Sequence, residues 1–265
     1  MSAVVYGTPR LDHDVVTSTN DIARAWALAG IDSGALVTAT SQTRGRGRRG
    51  AKWQDKPGQC AIMSFVAEPV SSVEAVWRVP FTVSLAVCRA AMALGVSTAR
   101  TKWPNDVIAA RGKLAGILVE TAPLPGSGLN AVVVGIGVNV GQKGFPDAAG
   151  FSWPPTSIAL ETEGLVPTVE AAIEAVSAEM TSAMARMGTW DGWTGLMDEW
   201  RGCLKMGLLQ SGRAADGTLV SGILRDVRAS DGAALLGCED RDVWVWPDCG
   251  DGNDVEGIIS VAPRD

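Results

Sequence analysis

The side chains with most chemical reach fall in a few short stretches. One is Gln42-Thr43-Arg44-Gly45-Arg46-Gly47-Arg48-Arg49-Gly50, followed by Lys52-Trp53. Glycine lets backbone approach a ligand closely, and arginine supplies planar forks of donors for phosphate or carboxylate. Such a segment can close over an acyl-phosphate and keep water out. Trp53 adds an aromatic face that could stack on a purine. The plainer alternative is a solvated basic loop, or an RNA contact of the Arg-Gly kind.

Lys102-Trp103-Pro104-Asn105-Asp106 is the next stretch. Pro104 sets a turn between two extended segments and aims Lys102, Asn105 and Asp106 together. The lysine is a point charge for polyphosphate, while Asn105 and Asp106 can hold Mg²⁺ or orient an incoming amine. The alternative is a strand-connecting turn closed by a salt bridge. Lys113-Leu114-Ala115-Gly116-Ile117-Leu118-Val119-Glu120 places a lysine at the head of an apolar strand. That is unusual unless the ammonium has an anionic partner or reaches solvent at the strand edge. Gly116 removes a side chain where a ligand could approach. Gly135-Ile136-Gly137-Val138-Asn139-Val140 suits close packing beside a ring system, or simply a glycine-containing core strand. It is not a dinucleotide fingerprint, because the pattern is incomplete and no helix follows. Ser18-Thr19-Asn20 reads as a helix cap, and a helix N-terminus also presents free N–H groups to a ligand.

These residues need a frame. The pattern predicts helices over 20–28, 73–94 (broken or kinked by Pro80), 169–187 and 191–204, with strands over 35–39, 60–67, 99–102, 113–121 and 131–139. Residues 43–58 and 141–155 read as long loops. After about Met206 the chain changes to short strands separated by Asp216-Gly217, Asp231-Gly232 and Asp251-Gly252. The expectation is an α/β (α+β) mixed sheet flanked by helices over residues 1–205, with a small β-barrel over 206–265.

The chain has 265 residues, enough for one sizeable domain and a small one. Its formal net charge of −6 argues against bulk binding to nucleic acid or an anionic membrane. No apolar run reaches the roughly 20 residues of a membrane span, and Met1 to Arg10 has no secretory character. Five scattered cysteines without a CxxC pair suggest neither a disulfide framework nor a zinc site, so a reducing cytoplasm is expected. The lone His13 gives a histidine triad little to build on.

Taken in order, Ser18-Thr19-Asn20, the Gly45–Gly50 arginine loop with Lys52-Trp53, Lys102–Asp106, Lys113–Glu120 and Gly135–Asn139 resemble the biotin protein ligase family. The match runs over residues 18–140, and the tail is similar to that family's SH3-like C-terminal domain more loosely. The resemblance implies a class II synthetase-like catalytic domain that makes biotinyl-5′-AMP from biotin and Mg·ATP. The biotin would then pass to a lysine of a biotin carboxyl carrier domain. It also implies contacts to biotin from Ser18, Thr19, Asn20, Gln42, Gly45, Arg46, Gly47, Arg48, Lys113 and Gly116. Trp53, Lys102, Asn105 and Asn139 would serve the nucleotide, and residues 141–155 would cover the adenylate. Lys113, Arg48 and Lys102 would neutralise charge, Asp106 would orient or deprotonate the acceptor lysine, and Asn105 with Asp106 would hold Mg²⁺. Members that are also repressors carry a winged helix before Ser-Thr-Asn; with seventeen residues ahead of Ser18, no DNA binding is expected. A monomer or homodimer is expected. Ala51, where a basic residue is common, and the acidic, glycine-rich Trp244 to Asp265 depart from the pattern. Two rivals stand beside this reading: a lipoate or octanoate ligase or transferase of the same fold, and a non-catalytic biotin-binding protein.

Overall fold

The computed structural model describes residues 4–71, 76–145, 153–162 and 166–247. Its centre is a seven-stranded mixed sheet. β1 (Arg10–Val16) and β2 (Leu36–Gln42) run parallel, joined by the crossover helix α1 (Thr19–Leu28) that a parallel pair requires. β3 (Cys60–Val70), β4 (Arg100–Lys102), β5 (Asp106–Ile108), β6 (Lys113–Pro123) and β7 (Asn130–Asn139) complete it. The spatial order is β1-β2-β3-β7-β6-β5-β4, and every pairing after the first is antiparallel.

The two faces of this sheet differ. Ala61, Met63 and Phe65 of β3, Ala115, Ile117 and Val119 of β6, and Val134, Ile136 and Val138 of β7 point into one large core. α2 (Arg78–Ala93), α4 (Val169–Met187) and α5 (Trp190–Cys203) cover it. Phe81 meets Trp200 edge-on at 4.9 Å, and Trp77 meets Trp193 in the same way at 5.0 Å. On the other face α1 lays Ala23 and Ala27 over Val37, Val66, Ala131 and Val133. α1 packs mainly on β7, β3 and β2 and barely reaches β6, so the β6 side of this face is left for other uses.

A second, antiparallel sheet of four strands follows: β8 (Leu209–Arg213), β9 (Leu219–Val227), β10 (Ala234–Gly237) and β11 (Asp242–Val245). Gly217 and Gly232 adopt the left-handed φ (83° and 73°) that the two Asp-Gly turns need. Arg213 and Trp246 exchange backbone hydrogen bonds, which brings the first strand against the end of the last. The indole of the fully buried Trp103 donates to Gly232 O at 3.0 Å, and that of Trp193 donates to Ala229 O at 2.8 Å. Trp103 of the Lys-Trp-Pro-Asn-Asp stretch is therefore a clamp between the two sheets.

The fold class matches the expectation; several element bounds do not. α2 begins at Arg78, with Pro80 in its first turn, where a missing N–H breaks no hydrogen bond. Residues 72–75 lie outside the described part. β1, β5 and a short helix α3 (Ile158–Glu161) were not expected; β1 is an edge strand of mostly half-buried and exposed residues and lacks an apolar run. The third Asp-Gly pair, at 251–252, lies outside the described residues.

Candidate active site

Residues 43–58, expected as a loop, begin with a hairpin-like flap. Trp53 N donates to Gly45 O at 3.0 Å, Gly47 N donates to Ala51 O at 2.7 Å, and Arg46 bridges Lys52. The tip is a single 3₁₀ turn, Arg48–Gly50, with Arg49 and Gly50 at positive φ. Gly45 is glycine for a steric reason: a Cβ there would stand 2.6 Å from Trp53 O.

The flap folds over the sheet face opposite the large core. Gly116 and Gly137 are cross-strand partners in β6 and β7. A Cβ on Gly137 would lie 2.4 Å from Trp53 Cε2, and one on Gly116 would lie 3.2 Å from Trp53 Cζ3 and 3.3 Å from Lys113 Nζ. The ring beside which these glycines pack is thus the indole of Trp53. Two residues along, Gly135 makes room for Asn20, whose Oδ1 would be 2.3 Å from an added Cβ. The indole N–H of Trp53 is buried without a hydrogen-bond partner among the described residues.

Ser18, Thr19 and Asn20 are buried at the start of α1. Ser18 occupies the N-cap position, yet its side chain makes no capping bond. Gln42 does that work from β2: its Oε1 accepts from Thr19 N at 2.8 Å and Thr19 Oγ1 at 3.2 Å. Ser64 Oγ lies 2.7 Å from Thr19 Oγ1 and 2.6 Å from Asn20 Oδ1. Asn20 Nδ2 donates to Glu120 Oε2 at 2.6 Å.

The cations gather on the other side of Trp53. β4 and β5 form a hairpin in which Lys102 pairs with Asp106. Asp106 accepts from Lys113 Nζ at 2.7 Å and faces Lys102 Nζ at 3.6 Å. Arg48 Nη1 donates to Asn105 Oδ1 at 3.0 Å, and Asn105 Nδ2 donates to Ile117 O at 2.7 Å. Burial lowers the Lys102 ammonium below its usual range; Asp106 opposes the shift and the charges of Lys113 and Arg48 add to it. Three cations around one carboxylate and one amide form a site that favours a multiply charged anion.

Arg46 is turned away from this group, onto Asp21 and Glu120. Asn139 is also elsewhere: its Nδ2 donates to Thr156 O at 2.9 Å, and Cys60 Sγ lies 3.8 Å from its Oδ1. Beyond it opens a cavity of about 550 Å³ lined by Lys56, Gln59, Gly141, Lys143, Gly144 and Phe145. Residues 146–152 of the stretch expected to cover an adenylate lie outside the described part. Ser64, Glu120, Asp21, Gly135 and Gly137 build the site without having been assigned to it. Ser64 carried a signal as the sole hydroxyl in an otherwise apolar strand run, Cys60–Ala67.

Residues 13–139 match the Biotin/lipoate A/B protein ligase family. The match covers just under half of the chain. A biotin--[acetyl-CoA-carboxylase] ligase from Paracoccus denitrificans is 41% identical over 151 residues, 55% of this chain and 60% of that protein. The bifunctional ligase/repressor BirA of Bacillus subtilis is 34% identical over 146 residues, 54% of this chain and 44% of that protein. The matched region thus spans between two-fifths and three-fifths of these relatives' length. Among solved structures, a biotin protein ligase from Aquifex aeolicus in complex with biotin and ATP superposes with a TM-score of 0.75. Its identity is 22%, and the alignment covers 90% of this chain and 95% of that one, a likeness of fold. The family segment runs from β1 to the end of β7 and so contains every cation of the site.

Proposed function

We propose that this chain is a member of that family, joins biotin to ATP as biotinyl-5′-AMP and passes the biotinyl group to a lysine of a biotin carboxyl carrier domain. One observation carries the reading: Lys102, Lys113 and Arg48 converge on Asn105-Asp106 beside an indole seated on bare glycines. The names of the matched relatives, biotin ligases acting on acetyl-CoA carboxylase, supply the acid and the acceptor.

In the first step a carboxylate oxygen of biotin attacks the α-phosphorus, the bond to the β-phosphate breaks, and pyrophosphate leaves. In the second, the acceptor amine attacks the acyl carbon, AMP leaves, and the amine gives up a proton. Lys113 would hold the carboxylate and α-phosphate, with Lys102 and Arg48 spreading the remaining negative charge. Asp106 lies between the two lysines and can accept a hydrogen bond from the incoming amine. Ser18, Thr19, Asn20, Gln42 and Gly116 frame the ring system of biotin, and Gly45, Arg46, Gly47 and Arg48 close over it. Trp53, Asn105 and Asn139 are assigned to the nucleotide, with Asn139 toward the cavity beside Gly141. Residues 1–205 would carry the chemistry and 206–265 the small C-terminal unit, in the cytoplasm.

Asn105 and Asp106 do not suit a protein-held Mg²⁺. Their oxygens accept from Arg48 and Lys113 and face Lys102, so a divalent ion would meet three like charges. Among the described residues no group of three His, Cys, Asp or Glu could hold a metal. The ion is assigned to the triphosphate it arrives with, and the protein's own cations do the neutralising.

Mass spectrometry of a carrier domain incubated with ATP and biotin, lipoate or octanoate tests the reading, with pyrophosphate measured in parallel. Biotinyl addition with pyrophosphate release is expected. Lipoyl or octanoyl addition alone would reject biotin as substrate, and tight biotin binding without pyrophosphate would reject catalysis.

A further inference from the structure

The cysteines are scattered along the sequence, yet the fold brings two of them together. α2 and α5 run side by side in the same direction: Trp77 meets Trp193, Phe81 meets Trp200, and the Trp200 indole donates to Ser84 Oγ at 2.9 Å. About one turn further along each helix stand Cys88 and Cys203. Arg89, the next residue of α2, pairs with Glu199 of α5 and holds the helices together at this level. The two thiols hydrogen-bond to each other. Cys88 is fully buried, while Cys203, the last residue of α5, is partly exposed.

The pair is unequal. The hydrogen bond from Cys88 holds the Cys203 thiol below its ordinary range, and the charges of Arg100 and Arg89 add to the effect. The same bond, with burial, pushes the Cys88 thiol up. A solvent-reachable thiolate beside a protonated, buried thiol is the arrangement in which oxidation of the first is captured by the second. Cys60 is a contrast: burial pushes its thiol up to about 11, and its sulfur faces Asn139.

We infer that Cys88 and Cys203 form an oxidation site, at which hydrogen peroxide converts Cys203 to a sulfenic acid and Cys88 then closes a disulfide between α2 and α5. In the first step the Cys203 sulfur attacks one peroxide oxygen, the O–O bond breaks, and water leaves. In the second the Cys88 sulfur attacks the Cys203 sulfur, the S–O bond breaks, and the hydroxyl leaves as a second water with the Cys88 proton. Two thiols are oxidised and one peroxide is reduced.

The bond forms one residue from the contacts that seat β4. Leu204 bridges Thr101 in parallel, Lys205 N donates to Thr101 O at 2.9 Å, and Thr101 Oγ1 donates to Trp200 O at 3.3 Å. Thr101 is fully buried and directly precedes Lys102. A crosslink at Cys203 therefore acts on the strand that carries a cation of the site. Its effect on turnover rests on the proposed ligase activity; the disulfide itself does not.

Non-reducing peptide mapping of the full chain, after hydrogen peroxide and again after dithiothreitol, tests the inference. Peroxide is expected to lower the mass by about 2 Da and to join the Cys88 and Cys203 peptides, reversibly, with Cys60 unmodified. Cys203→Ser should abolish the crosslink and leave no sulfenic acid for a dimedone-type probe to trap at this position. Cys88→Ala, which keeps the buried position small and apolar, should abolish the crosslink and let trapped sulfenic acid accumulate at Cys203. The treated chain is expected to lose most of its kcat and recover it with dithiothreitol, while Cys203→Ser keeps its turnover through the same treatment. Absence of a crosslink, or one that runs through Cys238 or Cys249 instead, would overturn the site. A Cys88–Cys203 crosslink that leaves kcat intact would overturn its link to Lys102. If the crosslink forms but the reduced, unaltered chain makes no adenylate from biotin and ATP, the oxidation site stands and the ligase reading falls. If that chain biotinylates its carrier and no crosslink forms, the reverse holds.

Discussion

Gly137→Ala turns the seating of Trp53 into a measurable quantity. The new methyl would stand 2.4 Å from Cε2, 2.5 Å from Cζ2 and 2.9 Å from Nε1 of the indole. Ordinary contact begins at 3.4 Å, so something must retreat by about 1 Å. β7 cannot do so easily, because it is hydrogen-bonded to β3 on one side and β6 on the other. The indole moves instead, and through Trp53 N and Gly45 O it carries the flap with it. Overpacking of this kind costs about 1–3 kcal/mol of stability. A misplacement of about 1 Å in the catalytic frame costs on the order of 100-fold in rate. Thermal unfolding and steady-state biotinylation are the assays, with Gly202→Ala, which would meet nothing within 4 Å, as control. Trp53→Ala in the Gly137→Ala background should restore the stability though not the rate. A Gly137→Ala protein that melts and turns over like the unaltered chain would refute the placement of Trp53 on this strand.

Lys113→Ala should lose more than about 100-fold in turnover, the scale of a lost charge-stabilising donor, with unfolding little changed, because the lysine is partly exposed; near-full activity would remove it from the phosphate site. Arg48→Gly should still form adenylate but release it, read as free biotinyl-AMP in solution; equal retention would deny the flap its lid role. For Lys102 the folded pKa lies below the usual 10.5, so its cation is lost early on the alkaline side. Between the folded and unfolded values the unfolded chain binds the proton and the folded chain does not, so this lysine's unfavourable contribution to stability is relieved as pH rises there. Turnover should fall across that same window, and Lys102→Arg should flatten the fall; an alkaline limb unmoved by that substitution would assign it to another group.

The sequence foretold where charge would gather better than where charge would be tied down. Lys102, Asn105, Asp106 and Lys113 are readable because a hairpin around Pro104 leaves them few places to go. The destinations of Arg46 and Arg48, four atoms beyond the backbone, depend on long-range partners at Asp21, Glu120 and Asn105, which no local pattern reports. Trp103 sits among residues of the site, yet its indole is spent on a carbonyl of the second sheet, a partner 129 residues away that no local pattern reports. β1 escaped notice because half-buried and exposed side chains on a parallel edge carry no apolar rhythm. Ser18 shows the limit of cap rules: the residue type is right, but a glutamine from another strand supplies the bond.

The two-sidedness of the central sheet has an evolutionary consequence. Along β6 the odd-numbered residues Ala115, Ile117 and Val119 belong to the packed interior, while Gly116, Leu118 and Glu120 face the flap; along β7 the parity is reversed. Neighbouring codons therefore answer to different selective demands, one for how much protein accumulates and the next for what that protein can do. A saturation library over these two strands should resolve into interleaved abundance and turnover defects with a period of two.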